Sequence, residues 1–262
     1  MLRYLRLFLY FVRFSISRAL EFRFDFTFRI VMDCVYYFVN IYFYKILFIH
    51  SLQIAGWSEP QMMIFISGYL LIDALNMTLF SNNTWAIPIL VNRGDLDYYM
   101  LRPVSTFFFI SLRDFAANSF INLLITIGIM TWSFAHYPVS LPAINIVLYL
   151  VFIINGLFLY HAMNMLFIIP VFWTHSVFGF REVFWGFVRV LERPDQIYDG
   201  WIRKLFTFIL PFCLMASFPA KLLFESLNSL VIIHIIFVTS MFWGLVMLLW
   251  HLALRHYSSA SS

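Results

Sequence analysis

Two carboxylates, Asp33 and Asp73, stand inside long apolar stretches, where a charge is expensive and marks either a path for ions and polar substrates or an internal pair. Arg29 precedes Asp33 by one helical turn, so a structural ion pair is the plainer account there. Asp73 has no local cation, and a structural carboxyl and a transport path weigh equally. The histidines, among them His50, His136, His161, His175 and His234, form no helical pair with a carboxylate of the kind a zinc site needs, so no metal is expected. No histidine is placed to activate Ser111 beside Arg113 and Asp114, which reads as a membrane-edge anchor. A Gly-x-x-x-x-Gly-Lys-Ser/Thr phosphate loop is also missing, so the chain is not expected to hydrolyse ATP. The remaining candidate is the string Arg93-Gly94-Asp95-Leu96-Asp97-Tyr98-Tyr99-Met100-Leu101-Arg102-Pro103-Val104-Ser105. It reads as a short interfacial helix with Asp95 and Asp97 near its N-terminus, where the helix dipole favours them. Leu96, Tyr99 and Met100 share one face at helical spacing, a surface that a partner can grip.

The elements that must position these residues are membrane spans. The 262 residues are 63% hydrophobic and only 11% charged, against about a quarter in soluble domains. Apolar stretches reach the roughly 20 residues that cross a bilayer. The fold class expected is all-α, a polytopic membrane protein of about six transmembrane helices in a single domain, 1–262. Residues 1–24 read as an amphipathic interface helix that stays on the mature protein, with Arg3, Arg6 and Arg13 on one face. Leu5, Phe8, Leu9 and Phe11 are expected to enter the acyl boundary. Spans are expected at Phe28–Ile49, Gln61–Phe80, Phe115–Ala135, Ala143–Ile169 (stopped by Pro170), Val171–Leu191 and Leu227–Leu254. Ser81–Pro103 reads as a polar insertion outside the hydrocarbon, with 82–104 as its functional region. Leu205–Pro219 is too short to span, and the breakers Pro211 and Pro219 suggest two half-helices dipping into one leaflet within an outer region, 192–226. Trp57, Trp132, Trp173, Trp201 and Trp250 fall near span ends, as interfacial belts do. Cys34 and Cys213 match no disulfide or metal spacing and read as packing residues.

Six arginines in the first 29 residues, with Arg93, Arg102 and Arg113, place the N-terminus and the loop after the second span in the cytoplasm, and six spans bring the C-terminus there too. Arg193, Arg203, Lys204 and Lys221 on the opposite side violate that rule. The basic residues are dispersed over flanks and loops, so no nucleic-acid partner is expected.

Gly94, Leu96, Asp97, Pro103 and Val104, placed after the second span, match in order and spacing a pattern of type-2 ATP-binding-cassette (ABC-2) exporter permeases. The chain resembles that family in layout as well, and its Gly56-Trp57 turn and GDLDYYMLRPVS string are most similar to a bacterial branch of permeases of unassigned substrate. Tyr98 and Tyr99 depart from the family's usual smaller or aliphatic residues.

The resemblance implies that Arg93, Gly94, Asp95, Leu96, Asp97, Tyr99, Met100, Arg102 and Pro103 form a coupling helix that docks into a separate ATPase subunit. ATP and Mg would be held by that partner, with no cofactor on this chain. It further implies a second permease, identical or homologous, surrounding membrane lipids, export as the direction, and residence in the bacterial cytoplasmic (inner) membrane with both termini inside. The alternative is a stand-alone membrane enzyme or channel using Glu192–Lys204 as its active or pore-lining segment.

Overall fold

The computed structural model describes residues 2–19, 23–176, 178–225 and 229–258, and among them every regular element is helical. The first helix, α1 (Leu2–Ala19), keeps Arg3, Arg6 and Arg13 exposed. Its inner face differs from expectation. Phe8 and Phe11 meet Phe115 and Phe109 edge to face at 5.0 Å, and the Phe115 N–H donates to Ser15 Oγ at 3.0 Å. Leu5 and Leu9 remain outward, because the aromatic stripe has found protein partners of better geometry than lipid.

Helix α2 (Arg23–His50) leans on the bundle through Tyr37 and Tyr44 and leaves most of its surface uncovered. A tight turn closed by two 3.0 Å backbone bonds between Ile54 and Trp57 leads into α3 (Glu59–Asn76), whose start is set by a capping box of Ser58 and Gln61. Trp57 is not part of an interfacial belt: it is buried between Phe65 and Phe224. Trp250 is likewise internal, stacked edge-on against Phe107 and Phe172. Trp132, Trp173 and Trp201 are exposed.

The polar stretch after the second span begins as a helical continuation of that span. Helix α3 runs through a π-helical turn, Met77–Ser81, into α4 (Asn82–Arg93), giving 35 continuous residues, about 52 Å of helix. The asparagine that suggests a loop is used as a clamp. Asn83 donates to the Asp114 carbonyl at 2.8 Å and accepts the Asp114 N–H at 2.9 Å, satisfying backbone groups of the segment leading to the next span. Thr78 and Thr84 return their hydroxyls to carbonyls of the same helix, so the polar residues stabilise the helix they were expected to end.

Beyond it lie α5 (Asp97–Met100), α6 (Thr106–Leu112), α7 (Ala117–Ala135) and α8 (Ala143–Ile168), the last ending before Pro170 as expected. The fifth span is broken. A single turn, α9 (Val171–Thr174), stops at His175 in the left-handed region (φ 54°), and α10 (Phe178–Leu191) restarts as 14 residues, about 21 Å long. The chain nonetheless travels the length of the bundle here: His175 accepts from the Asn92 amide at the Gly94 end, and Gln196 lies against the Trp57 indole at the other.

Helix α11 (Gly200–Lys204) continues as a π-helical turn, Leu205–Ile209, and meets α12 (Cys213–Phe224) at a 100° bend beside Pro211. Arg203 and Phe224 both sit at the Trp57 end, while Phe212 at the bend packs inward on Phe184 and Phe187. The pair therefore enters and returns at one end. Pro219 lies inside α12 without breaking it, so only the Pro211 end carries the expected break. The last helix is α13 (Ser229–His256). Among the described residues, five helices are long and apolar enough to cross a membrane, or up to six if the bent pair counts as one, as in a polytopic membrane protein.

Candidate functional site

Two sets of residues stand out at the Gly94 end and in the bundle interior. At the first, α4 terminates on Gly94, which adopts φ 78°, the left-handed cap for which glycine carries no Cβ penalty. Leu96 and Tyr99 turn inward: Leu96 is fully buried, and Tyr99 packs on Phe109 with its ring 5.2 Å from the Arg113 guanidinium. The single face expected for Leu96, Tyr99 and Met100 is thus divided, because a helix of four residues rests one side on the bundle. Tyr98 (62% exposed), Leu101 (85%) and Met100 (41%) point outward instead. Around them Arg93, Asp95, Arg102 and Pro103 are exposed, and the Arg102 guanidinium lies 4.4 Å from the Tyr98 ring. Both ends of the chain converge here. The Ser105 N–H donates to the Tyr4 hydroxyl at 3.3 Å, and burial together with the charge of Asp97 raises the Tyr257 phenol. Replacing Gly94 by valine forces a β-branched residue into the left-handed region and should cost about 1–2 kcal/mol, read as a lower thermal midpoint in detergent.

In the interior, Asp33 accepts from the Asn122 amide of α7, with Arg29 adding its charge from one turn earlier. The expected pair is therefore a three-residue arrangement. Asp33 and Arg29 line a cleft of about 480 Å³ with Trp85, Asn118 and Trp185. Asp73 is half-buried and electrostatically close to Asp33, Glu192 and Tyr69. Glu192, which local sequence pattern did not single out, accepts from Tyr69 at 3.1 Å and Tyr36 at 3.3 Å, and those two hydroxyls bond each other. The Tyr44 hydroxyl donates to the Glu192 backbone carbonyl at 2.7 Å. Three carboxylates and a set of tyrosines thus follow one another across α2, α3 and the end of α10. No sequence signal joins Glu192 to Tyr69, since the contact exists only once α10 crosses the bundle.

The basic residues of the 192–226 region have a structural use. Asp195, fully buried, accepts from Lys221 at 2.5 Å, from Ser217 at 2.5 Å and from Arg203 at 2.6 and 2.9 Å. Burial would raise this carboxyl, but Lys221, Ser217 and Arg203 outweigh it and hold the group below the ordinary carboxylate range. Two of the four cations that violate the charge rule are thereby bound to the protein.

No curated protein and no solved structure matches the chain. The profile of the family described as ABC-2 family transporter protein matches residues 34–261, from within α2 to the C-terminal tail. That match covers the long α3–α4 helix, the exposed Gly94 end and the bent pair alike, and the chain belongs to the ABC-2 transporter family as a multi-pass membrane component.

Proposed function

We propose that this chain is the permease subunit of an ATP-driven exporter, forming half of a translocation path and receiving movement from a separate ATPase subunit at residues 93–103. The observation that carries the proposal is the division of the short helix α5. Its outer side offers Tyr98, Met100 and Leu101 within a charged rim, and its inner side plugs Leu96 and Tyr99 into the bundle. An apolar patch with a polar rim is the form of a protein docking site. A push on α5 reaches the bundle through α6, where Phe109 meets Tyr99, and through the 35-residue helix that ends at Gly94. Tyr4 and Tyr257 beside this element support a common, cytoplasmic side for both termini, as the arginine distribution suggests.

ATP and Mg belong to the ATPase in this scheme. A second permease, identical or homologous, completes the path, and the uncovered surface of α2 is where it fits. Asp33, Asp73 and Glu192 lie along that path, while Arg3, Arg6 and Arg13 rest on lipid phosphates at the inner surface of the bacterial cytoplasmic membrane. Leu101→Glu combined with Tyr98→Glu should release the ATPase when the tagged chain is purified from native membranes, with the permease itself still folded. Undiminished ATPase co-purification would remove the docking assignment.

A further inference from the structure

At the Trp57 end a second cavity, about 500 Å³, opens between α11, its π-helical continuation and the first turns of α13. Its volume lies in the range of ligand sites. Its chemistry is asymmetric. Arg203, Lys204 and His234 contribute basic or hydrogen-bonding groups, none of the lining residues is acidic, and the remainder of the wall is largely apolar, including Phe208, Phe218 and Leu230.

The charge balance nearby makes the asymmetry consequential. Asp195 is shared by Lys221 and Arg203, so one carboxylate faces two cations. Lys204 adds an exposed cation immediately after Arg203. Among the described residues, a buried ring nitrogen of His234, Nε2, has no hydrogen-bond partner, and the ring lies 4.9 Å from that of Phe208. Phe208 and Leu230 are more than half exposed, continuing the apolar wall outward.

We propose that this cavity binds one anionic lipid, with its phosphate head group at Arg203, Lys204 and His234 and an acyl chain along Phe208, Phe218 and Leu230. Basic side chains snorkelling above an apolar groove suit an amphiphile with a negative head. A free anion would leave the apolar wall unused, and a neutral lipid would offer Arg203 and Lys204 no net negative charge. The proposal does not depend on ATPase docking, which occurs at the other end of the bundle.

The full chain in lipid nanodiscs is labelled with photoactivatable phosphatidylglycerol or with phosphatidylcholine carrying the same photoreactive chain, and labelled peptides are mapped by mass spectrometry. The anionic probe should label 200–234 in preference to the zwitterionic one. Lys204→Ala should lower anionic labelling about fivefold, the effect of one basic side chain at an anionic head group. Lys204→Glu should lower it further. Lys204 is exposed and takes no part in holding Asp195, so both variants retain the fold. Equal labelling of 200–234 by the two probes would overturn the proposal, as would unchanged anionic labelling in Lys204→Glu. Competition by inorganic phosphate as effective as competition by unlabelled phosphatidylglycerol would overturn it too, by showing that the acyl wall contributes nothing.

Discussion

Replacing Asp195 by alanine should lower the unfolding free energy by about 3–5 kcal/mol, the usual cost of removing one partner from a buried charge network. The carboxylate is fully buried and holds two elements at once: Arg203 of α11, and Ser217 and Lys221 of α12. Its loss leaves the Lys221 ammonium, whose side chain is only 11% exposed, without the 2.5 Å partner that offsets its desolvation. Asp195→Asn should fare little better, because an amide preserves the shape and the Ser217 bond but not the charge. The same site fixes the sign of the acid response. Its carboxyl is lower in the folded chain than in the unfolded one, so its contribution is present above the ordinary carboxylate value of 3.8 and is lost as the pH falls below it toward the folded value. Thermal midpoints of the purified protein should fall in that acid window in the wild type and be flatter there in Asp195→Asn.

Gly156→Leu should be the second severe change. Helices α8 and α12 approach so closely that a Cβ at Gly156 would collide with the Met215 carbonyl oxygen, and a backbone group in a packed helix cannot swing aside as a side chain can. In a membrane protein, small residues at helix contacts are what permit such approach. Overpacking here should cost about 3 kcal/mol, the upper end of the usual range, and should lower the yield of folded protein. Gly128 supplies the control. It lies in α7 with open space at its Cβ position, so Gly128→Ala should be neutral or stabilise by up to about 1 kcal/mol through helix propensity. Equal loss in both variants would show that close approach at Gly156 is not the cause.

What the linear pattern discloses is tied to range. Apolar length marks α2, α7, α8 and α13, and Pro170 marks the end of α8, because each depends on neighbours along the chain. The expected limit of the second span at Phe80 fell short because Asn83, within the polar insertion, bonds the Asp114 backbone, and Thr84 bonds a carbonyl of its own helix, so both support a longer helix. Similarly, Leu96 and Tyr99 have the spacing of an exposed face, yet the neighbouring α6 buries them. Asp195 with Lys221, and Glu192 with Tyr69, are separated by 26 and 123 residues. Such contacts exist only after the bent pair and α10 have found their places, and no helical period encodes them.

The mechanical reading follows from the same packing. Helix α3 with α4 is well buried along its first part and carries the Gly94 turn at its end, so under the proposed function displacement of α5 would be delivered to the wall containing Asp73. Directly across that wall stand Tyr36 and Glu192, on elements that differ from it in sequence but share its hydrogen bonds. Movement of α3 against α2 or α10 must therefore alter the tyrosine–carboxylate contacts, which is how docking at one end would open or close the interior.

The central claim is that the outer side of α5 contacts an ATPase. A photo-crosslinking amino acid placed at Leu101, and in a separate sample at the exposed Ile209 of the bent pair, tests it in native membranes. The expected result is a covalent adduct between position 101 and a protein bearing a phosphate-binding loop, with no such adduct from position 209. Absence of that adduct at position 101, or its equal recovery from position 209, would contradict the account.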